Sequence, residues 1–140
     1  MLFDAGLELL TEPECYELIR DVRVGRVGVT VGALPVILPV NYACVEGDVV
    51  FRTAEGTKLR AAVDRAVVAF EVDEYDPAAR TGWSVLLVGE AREVVTPDEI
   101  AVLEATDLEP WTDADGRSRW VRLRPEFVSG RRIATPVAIP

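Results

Sequence analysis

Between Gly25 and Ala54 three strand-type patterns follow one another with only short turns between them. That spacing leaves no room for a crossover helix, so neighbouring strands must run antiparallel. The first pattern, "GRVGVTV", places Val27, Val29 and Val31 on one face. The second, "LPVILPVNYACV", is a longer apolar run broken by Pro35 and Pro39. Proline inside a strand marks an edge, a bulge, or a place where something other than a neighbouring strand meets the backbone. "EGD", Glu46 to Asp48, is turn chemistry, and "VVFRTA" returns as a strand. The hairpin brings Arg52 and Thr53 close to residues 37–42.

Later segments repeat the theme. "AVVAFEVDEYD" and "WSVLLVGEAREVV" read as strands around the loop "DPAARTG". "RWVRLRPEFVSG" is a last strand, with Trp120, Arg122 and Arg124 on one face and Val121 and Leu123 on the other. Three short helices are expected. "LTEPECYELIRDV" has Thr11 and Glu14 at capping-box spacing, Pro13 in its first turn, and Leu10 and Cys15 placed as a hydrophobic staple. "GTKLRAAVD" is a second, and "TPDEIAVLEAT" a third, with Thr96, Pro97 and Glu99 repeating the capping signature. The tail "RRIATPVAIP" is apolar and expected to pack. About six strands without βαβ alternation predict a mostly β chain with short helices, a small antiparallel barrel whose gaps the helices fill. The 140 residues, 49% apolar, suit one domain spanning 1–140.

The formal net charge of −9 argues against nucleic acid as a partner and against anionic membranes. No apolar run approaches the ~18–20 residues that span a bilayer. Acids in "MLFDAGLELL" stand where a signal peptide needs a basic start, so a cytoplasmic protein is expected. Cys15 and Cys44 form no metal or redox motif and read as buried thiols. The chain has no histidine. Ser-His-Asp and Cys-His catalysis, the commonest zinc sites and histidine-ligated haem are therefore excluded.

Lys58 is the only lysine, and it follows Gly56 and Thr57 at the expected start of a helix. A lysine there opposes the helix dipole, whereas a helix N-terminus with a lysine, a threonine and a nearby arginine suits an anion. The same residues also fit a plain capped turn with a solvated lysine. Neither a Walker A loop nor a dinucleotide fingerprint is present. Asp73, Glu74 and Asp76 read as a solvated acidic loop, and Trp111 and Trp120 as core or interface. Tyr42 fits packing and ligand binding equally. The arginines at 117, 119, 122 and 124 read as a stripe of ion pairs with the many acids.

The motifs "GRVGV", "LPVILPVNYACV", "VVFRTAEGTKL", "VAFEVDEYD" and "GWSVLLVGEAREV" resemble, in order and spacing, the pyridoxamine 5'-phosphate oxidase-like family. The resemblance covers roughly residues 5–133, and the small actinobacterial-type, nitroimidazole-resistance-like members look most similar. It implies a six-stranded antiparallel split β-barrel of the FMN-binding type. It also implies a homodimer with FMN at the subunit interface, acting as an oxidoreductase on a small molecule. The strand containing Pro39, Val40, Asn41 and Tyr42 would lie against the flavin ring. Arg52, Thr53, Thr57 and Lys58 would hold the phosphate, and Trp83 and Ser84 would approach from the partner subunit. The chain lacks the histidine of true pyridoxamine phosphate oxidases, so vitamin B6 oxidation is not expected. Two alternatives share the fold: a reductase using the deazaflavin F420, whose acidic tail the arginine stripe could meet, and a non-catalytic flavin-binding protein. No residue stands out as a general acid or base, in keeping with chemistry carried by a cofactor.

Overall fold

The computed structural model describes residues 3–4, 7–53, 63–106, 108 and 118–133. Tight turns set its architecture. β3 (Val24–Val31) and β4 (Leu34–Val45) are joined by two residues, with Gly32 at φ +63°. β4 and β5 (Asp48–Thr53) are joined by Glu46 and Gly47, both at positive φ, as a tight hairpin on right-twisted strands requires. β6 (Ala66–Asp76) turns into β7 (Thr81–Glu93) through residues 77–80, where Asp76 Oδ1 accepts from the Ala78 and Ala79 amides. The long β8 (Arg119–Ile133) closes the structure.

β8 pairs with β5 through Arg119–Leu123 and with β7 through Val121–Arg132, so β3, β4, β5, β8, β7 and β6 form a closed ring of six antiparallel strands. The expected barrel is therefore present. Two short strands, β1 (Phe3–Asp4) and β2 (Leu7–Leu10), add a hairpin to the far end of β8. Strands of two and four residues are too short to have been read from the sequence.

The ring's interior is filled by alternate residues, among them Val27, Tyr42, Phe51, Phe70, Val72, Leu87 and Leu123. Phe70 and Tyr42 meet edge to face at 5.1 Å between centroids. Gly25 is fixed by this packing, because a Cβ there would collide with the Phe70 ring. α1 (Glu12–Ile19) plugs the barrel with Cys15 and Ile19. Its capping box forms as expected, with Glu14 Oε1 accepting from the Thr11 amide at 2.9 Å. Leu10 and Cys15, the expected staple, both sit over Gly130.

α2 (Pro97–Glu104) lies on the outside, over a second cluster of Val50, Val94, Leu103 and Trp120. Here the expected capping box is absent. Thr96 occupies the N-cap without a side-chain bond. Glu99 instead accepts two hydrogen bonds from Arg92, each 2.8 Å. The bidentate guanidinium offers Glu99 a stronger, charge-assisted partner than a backbone amide. The expected helix "GTKLRAAVD" falls mostly outside the described residues; Val63, near its end, is buried in the main core.

Candidate functional site

β4 is paired differently along its length. Leu34–Asn41 pair with β3 on one side, and only Tyr42–Val45 pair with β5 on the other. Tyr42 N–H donates to the Arg23 carbonyl at 3.1 Å, which fixes the phase of the ladder. By the two-residue period, the backbone groups of Pro35, Ile37, Pro39 and Asn41 face away from β3. Both prolines thus place their missing N–H on the edge that no described strand covers, and the ladder loses nothing. This edge borders the split in the barrel, beside the end of β5. Val36, Leu38 and Val40 pack against the core, and Ile37 points outward with 71% exposure.

Tyr42, the last of the four β4 positions, faces inward. Its hydroxyl donates to the Ile19 carbonyl at 2.6 Å, and burial pushes its ionisation far up. The hydroxyl thus ties β4 to the end of α1.

At the end of β5, Arg52 and Thr53 project from opposite faces of the sheet. Arg52 pairs with Trp120 of β8, and its guanidinium carbon lies 5.2 Å from the centre of the indole. Thr53 is 2% exposed, and its Oγ1 has no hydrogen-bond partner among the described residues. On the Arg52 face, Trp120 Nε1 is likewise buried without a partner among the described residues. Trp120 belongs to the core under α2, as expected. Thr57 and Lys58 lie outside the described residues. Buried polar groups normally find partners, and Thr53 Oγ1, on the sheet face opposite Trp120, suits a group that brings a hydrogen-bonding oxygen to this strand end.

Trp83 and Ser84 sit elsewhere. Trp83 packs against the main core, and Ser84 faces outward on β7. Ser84 pairs with Arg131 and Thr53 with Arg119, so the two sets stand twelve residues apart on β8, roughly 40 Å of strand. Within one chain they do not meet. Ser84 lines a trough of about 360 Å³ with Tyr75, Gly82, Arg131, Ile133 and Leu7.

The outer face of the ring carries a feature the sequence did not reveal. Ile37, Gly28, Ala69, Val88 and Phe127 stand at one level across β4, β3, β6, β7 and β8. Leu86 flanks this row, and an apolar hollow of about 280 Å³ lies between it and Ile37. At its margin, one nitrogen of Arg26 donates to both Glu71 and Asp73 at 3.1 Å. Burial, with Asp73 beside it, pushes the Glu71 carboxyl up to about 7. On the α2 side, Arg122 donates to Asp48 at 2.6 Å, and Arg119 lies 3.8 Å from Glu93. These members of the arginine stripe engage carboxylates of their own chain, as expected. Asp73 and Asp76 of the acidic run are likewise engaged, by Arg26 and by turn amides. Cys15 is buried and Cys44 half-buried; burial raises both thiols, Cys44 to about 11, so neither is a ready nucleophile. No described helix is long and apolar enough to cross a membrane.

Residues 11–132 match the pyridoxamine 5'-phosphate oxidase family. The chain belongs to that family. The uncharacterized protein Rv0080 of Mycobacterium tuberculosis is 39% identical over 94% of this chain and 88% of its own length. The structure of a FAD binding protein from Mycobacterium smegmatis is 38% identical, with a TM-score of 0.78 over 89% of this chain and 98% of that one. A FAD-binding protein from Mesorhizobium loti, 22% identical, shares the fold, with a TM-score of 0.72 over 90% of this chain and 97% of that one. The barrel, its split and the six-strand ring are thus the family architecture.

Proposed function

We propose that this protein binds a flavin nucleotide between two copies of the chain and acts as a flavin-dependent oxidoreductase on a small acceptor. The observation that carries the reading is the split itself. An edge of β4 that no described strand covers runs to a strand end where Thr53 Oγ1 is buried without a partner among the described residues. The edge suits a planar ring held by backbone groups, and the strand end suits a phosphate. Arg52 and Thr53, with Thr57 and Lys58 following them in sequence, would hold that phosphate. Pro39, Val40 and Asn41 would flank the ring. The bound flavin would supply hydride transfer, and the chain would orient it and keep water from it. The 38% identical M. smegmatis protein binds FAD by its description, and the motif resemblance implies FMN; both carry the phosphate that these residues suit.

A second copy enters for a geometric reason. Trp83 and Ser84 lie too far along β8 from Thr53 to reach the same flavin within one chain. The apolar row of Ile37, Ala69, Val88 and Phe127 offers the surface for a homodimer; Ile37 and Phe127 are 71% and 54% exposed. Arg119 and Arg122 engage acids of their own chain, so these two lend the F420 alternative no support. Cytoplasmic placement is part of this proposal.

The test is to denature the freshly purified protein and identify the released small molecule by mass spectrometry, then to titrate stripped protein with FMN and FAD. Recovery or tight binding of either supports the reading. Failure of both to bind would overturn it. Lys58→Ala is expected to weaken binding of the phosphorylated flavins while leaving the fold intact; wild-type affinity in that variant would remove Lys58 from the site. Reduction of the bound flavin by NADH or NADPH separates an oxidoreductase from a binding protein.

A further inference from the structure

The apolar row on the outer face has different ends. At β8 it ends in Phe127, 54% exposed. Towards β4 the small residues Gly28 and Ala69 leave a hollow of about 280 Å³ between Ile37 and Leu86. A projection at one end and a hollow at the other are self-complementary about a two-fold axis along the middle strand, β6. That axis lays β8 of one copy over β4 of the other. An axis along the row instead sets Phe127 on Phe127 and leaves both hollows unfilled.

Strand register agrees with the axis along β6. Val67, 72% exposed, precedes Ala69 by two on the same face of β6, so its counterpart in the second copy covers it. Ser84 of β7 is level with Asp73 of β6, so the axis carries it over β3 near Val24, which pairs with Asn41. Ser84 of one copy thereby comes beside the open edge of β4 in the other. The axis also passes between the two Glu71 residues, two positions after Ala69. In each copy Glu71 and Asp73 share one nitrogen of Arg26 at 3.1 Å, an excess of one negative charge. The other residues at this level, Pro39 of β4, Leu86 of β7 and Ser129 of β8, carry no charge.

We propose that a second copy of this chain docks on this face about that axis, with Phe127 of each seated in the other's hollow and the two Glu71 carboxyls facing each other. This rests on the homodimer reading above and adds a regulation to it, because a proton on each Glu71 cancels the excess charge at the seam. Burial with Asp73 nearby pushes Glu71 up to about 7 in the single chain, and a second carboxyl opposite raises it further. The copies therefore pair most tightly below about 7 and more weakly as pH rises above it.

Sedimentation equilibrium at pH 6 and pH 8 tests this. The dimer dissociation constant of the wild-type protein is expected to rise about tenfold to a hundredfold between them, as up to two protons are lost on parting. Glu71→Gln, neutral throughout, is expected to keep its pH 6 value at both. Phe127→Ala, at an exposed position, is expected to weaken the dimer about tenfold at pH 6 with an unchanged circular dichroism spectrum. A wild-type constant equal at both pH values, or a Glu71→Gln variant that keeps the wild-type rise, would overturn the facing carboxyls. A Phe127→Ala dimer as tight as wild type would overturn the seating. In each of these a dimer persists, and the homodimer reading stands. Wild-type protein that is a single chain at both pH values would end that reading and this proposal together.

Discussion

Two carboxylates, Glu71 and Asp73, share one nitrogen of Arg26. One cation facing two anions leaves the group a net negative charge, and burial with Asp73 nearby pushes Glu71 up to about 7 from an ordinary 4.5. The folded chain therefore holds this proton at pH values where the unfolded chain has released it. The contribution to stability is complete below the unfolded value and is lost as pH rises through about 7. Glu71→Gln, neutral at every pH, is expected to flatten the fall of Tm between pH 4.5 and 7; an unchanged slope would refute the assignment. Tyr42 is a second residue whose role lies in one bond. Tyr42→Phe would leave the Ile19 carbonyl without its donor and is expected to cost about 1–2 kcal/mol in denaturant unfolding. Neither pairing was legible in the sequence. Arg26 meets its acids across a ladder, with a separation of 45 residues to Glu71, and Tyr42 reads equally as core or ligand contact until its inward phase is known.

Elements were more legible, because their signals are local. Turn residues and alternation placed β3 through β7 close to where they lie. Both helices under α1 and α2 were expected with their caps, yet the two caps differ. At α1 the Thr11 hydroxyl and Glu14 form the reciprocal box. At α2 Arg92 takes Glu99 away, and only packing against β7 and β8 decides that competition. Thr11→Ala is therefore expected to lower stability by about 1 kcal/mol, and Thr96→Ala by much less. Equal losses in thermal or urea unfolding would contradict the difference. Gly25 belongs to the same scale: it permits Phe70 to cross the barrel, and Gly25→Ala is expected to cost about 1–3 kcal/mol through overpacking. The β1–β2 hairpin escaped the sequence reading because strands of two and four residues are too short to show a period. They become a strand because the end of β8 offers an edge.

At the scale of the whole molecule, the single chain holds two separated halves of the proposed site and a broad apolar outer row. One arrangement accounts for both: two copies joined through that row, each completing the other's flavin site. Ile37→Asp with Phe127→Asp is expected to yield a monomer that has lost flavin affinity while keeping its strand content by circular dichroism. A dimer that persists in this double variant would move the interface elsewhere. The sequence could suggest such an assembly only through resemblance. The row that supports it joins residues from five strands, spread along the chain from Gly28 to Phe127.

The most direct measurement is sedimentation velocity followed at the flavin absorbance near 450 nm, on protein saturated with FMN or FAD. The account predicts that the colour sediments with a species of twice the 15.4 kDa chain mass. Flavin absorbance travelling with a single chain, or staying behind unbound while the protein sediments, would contradict it.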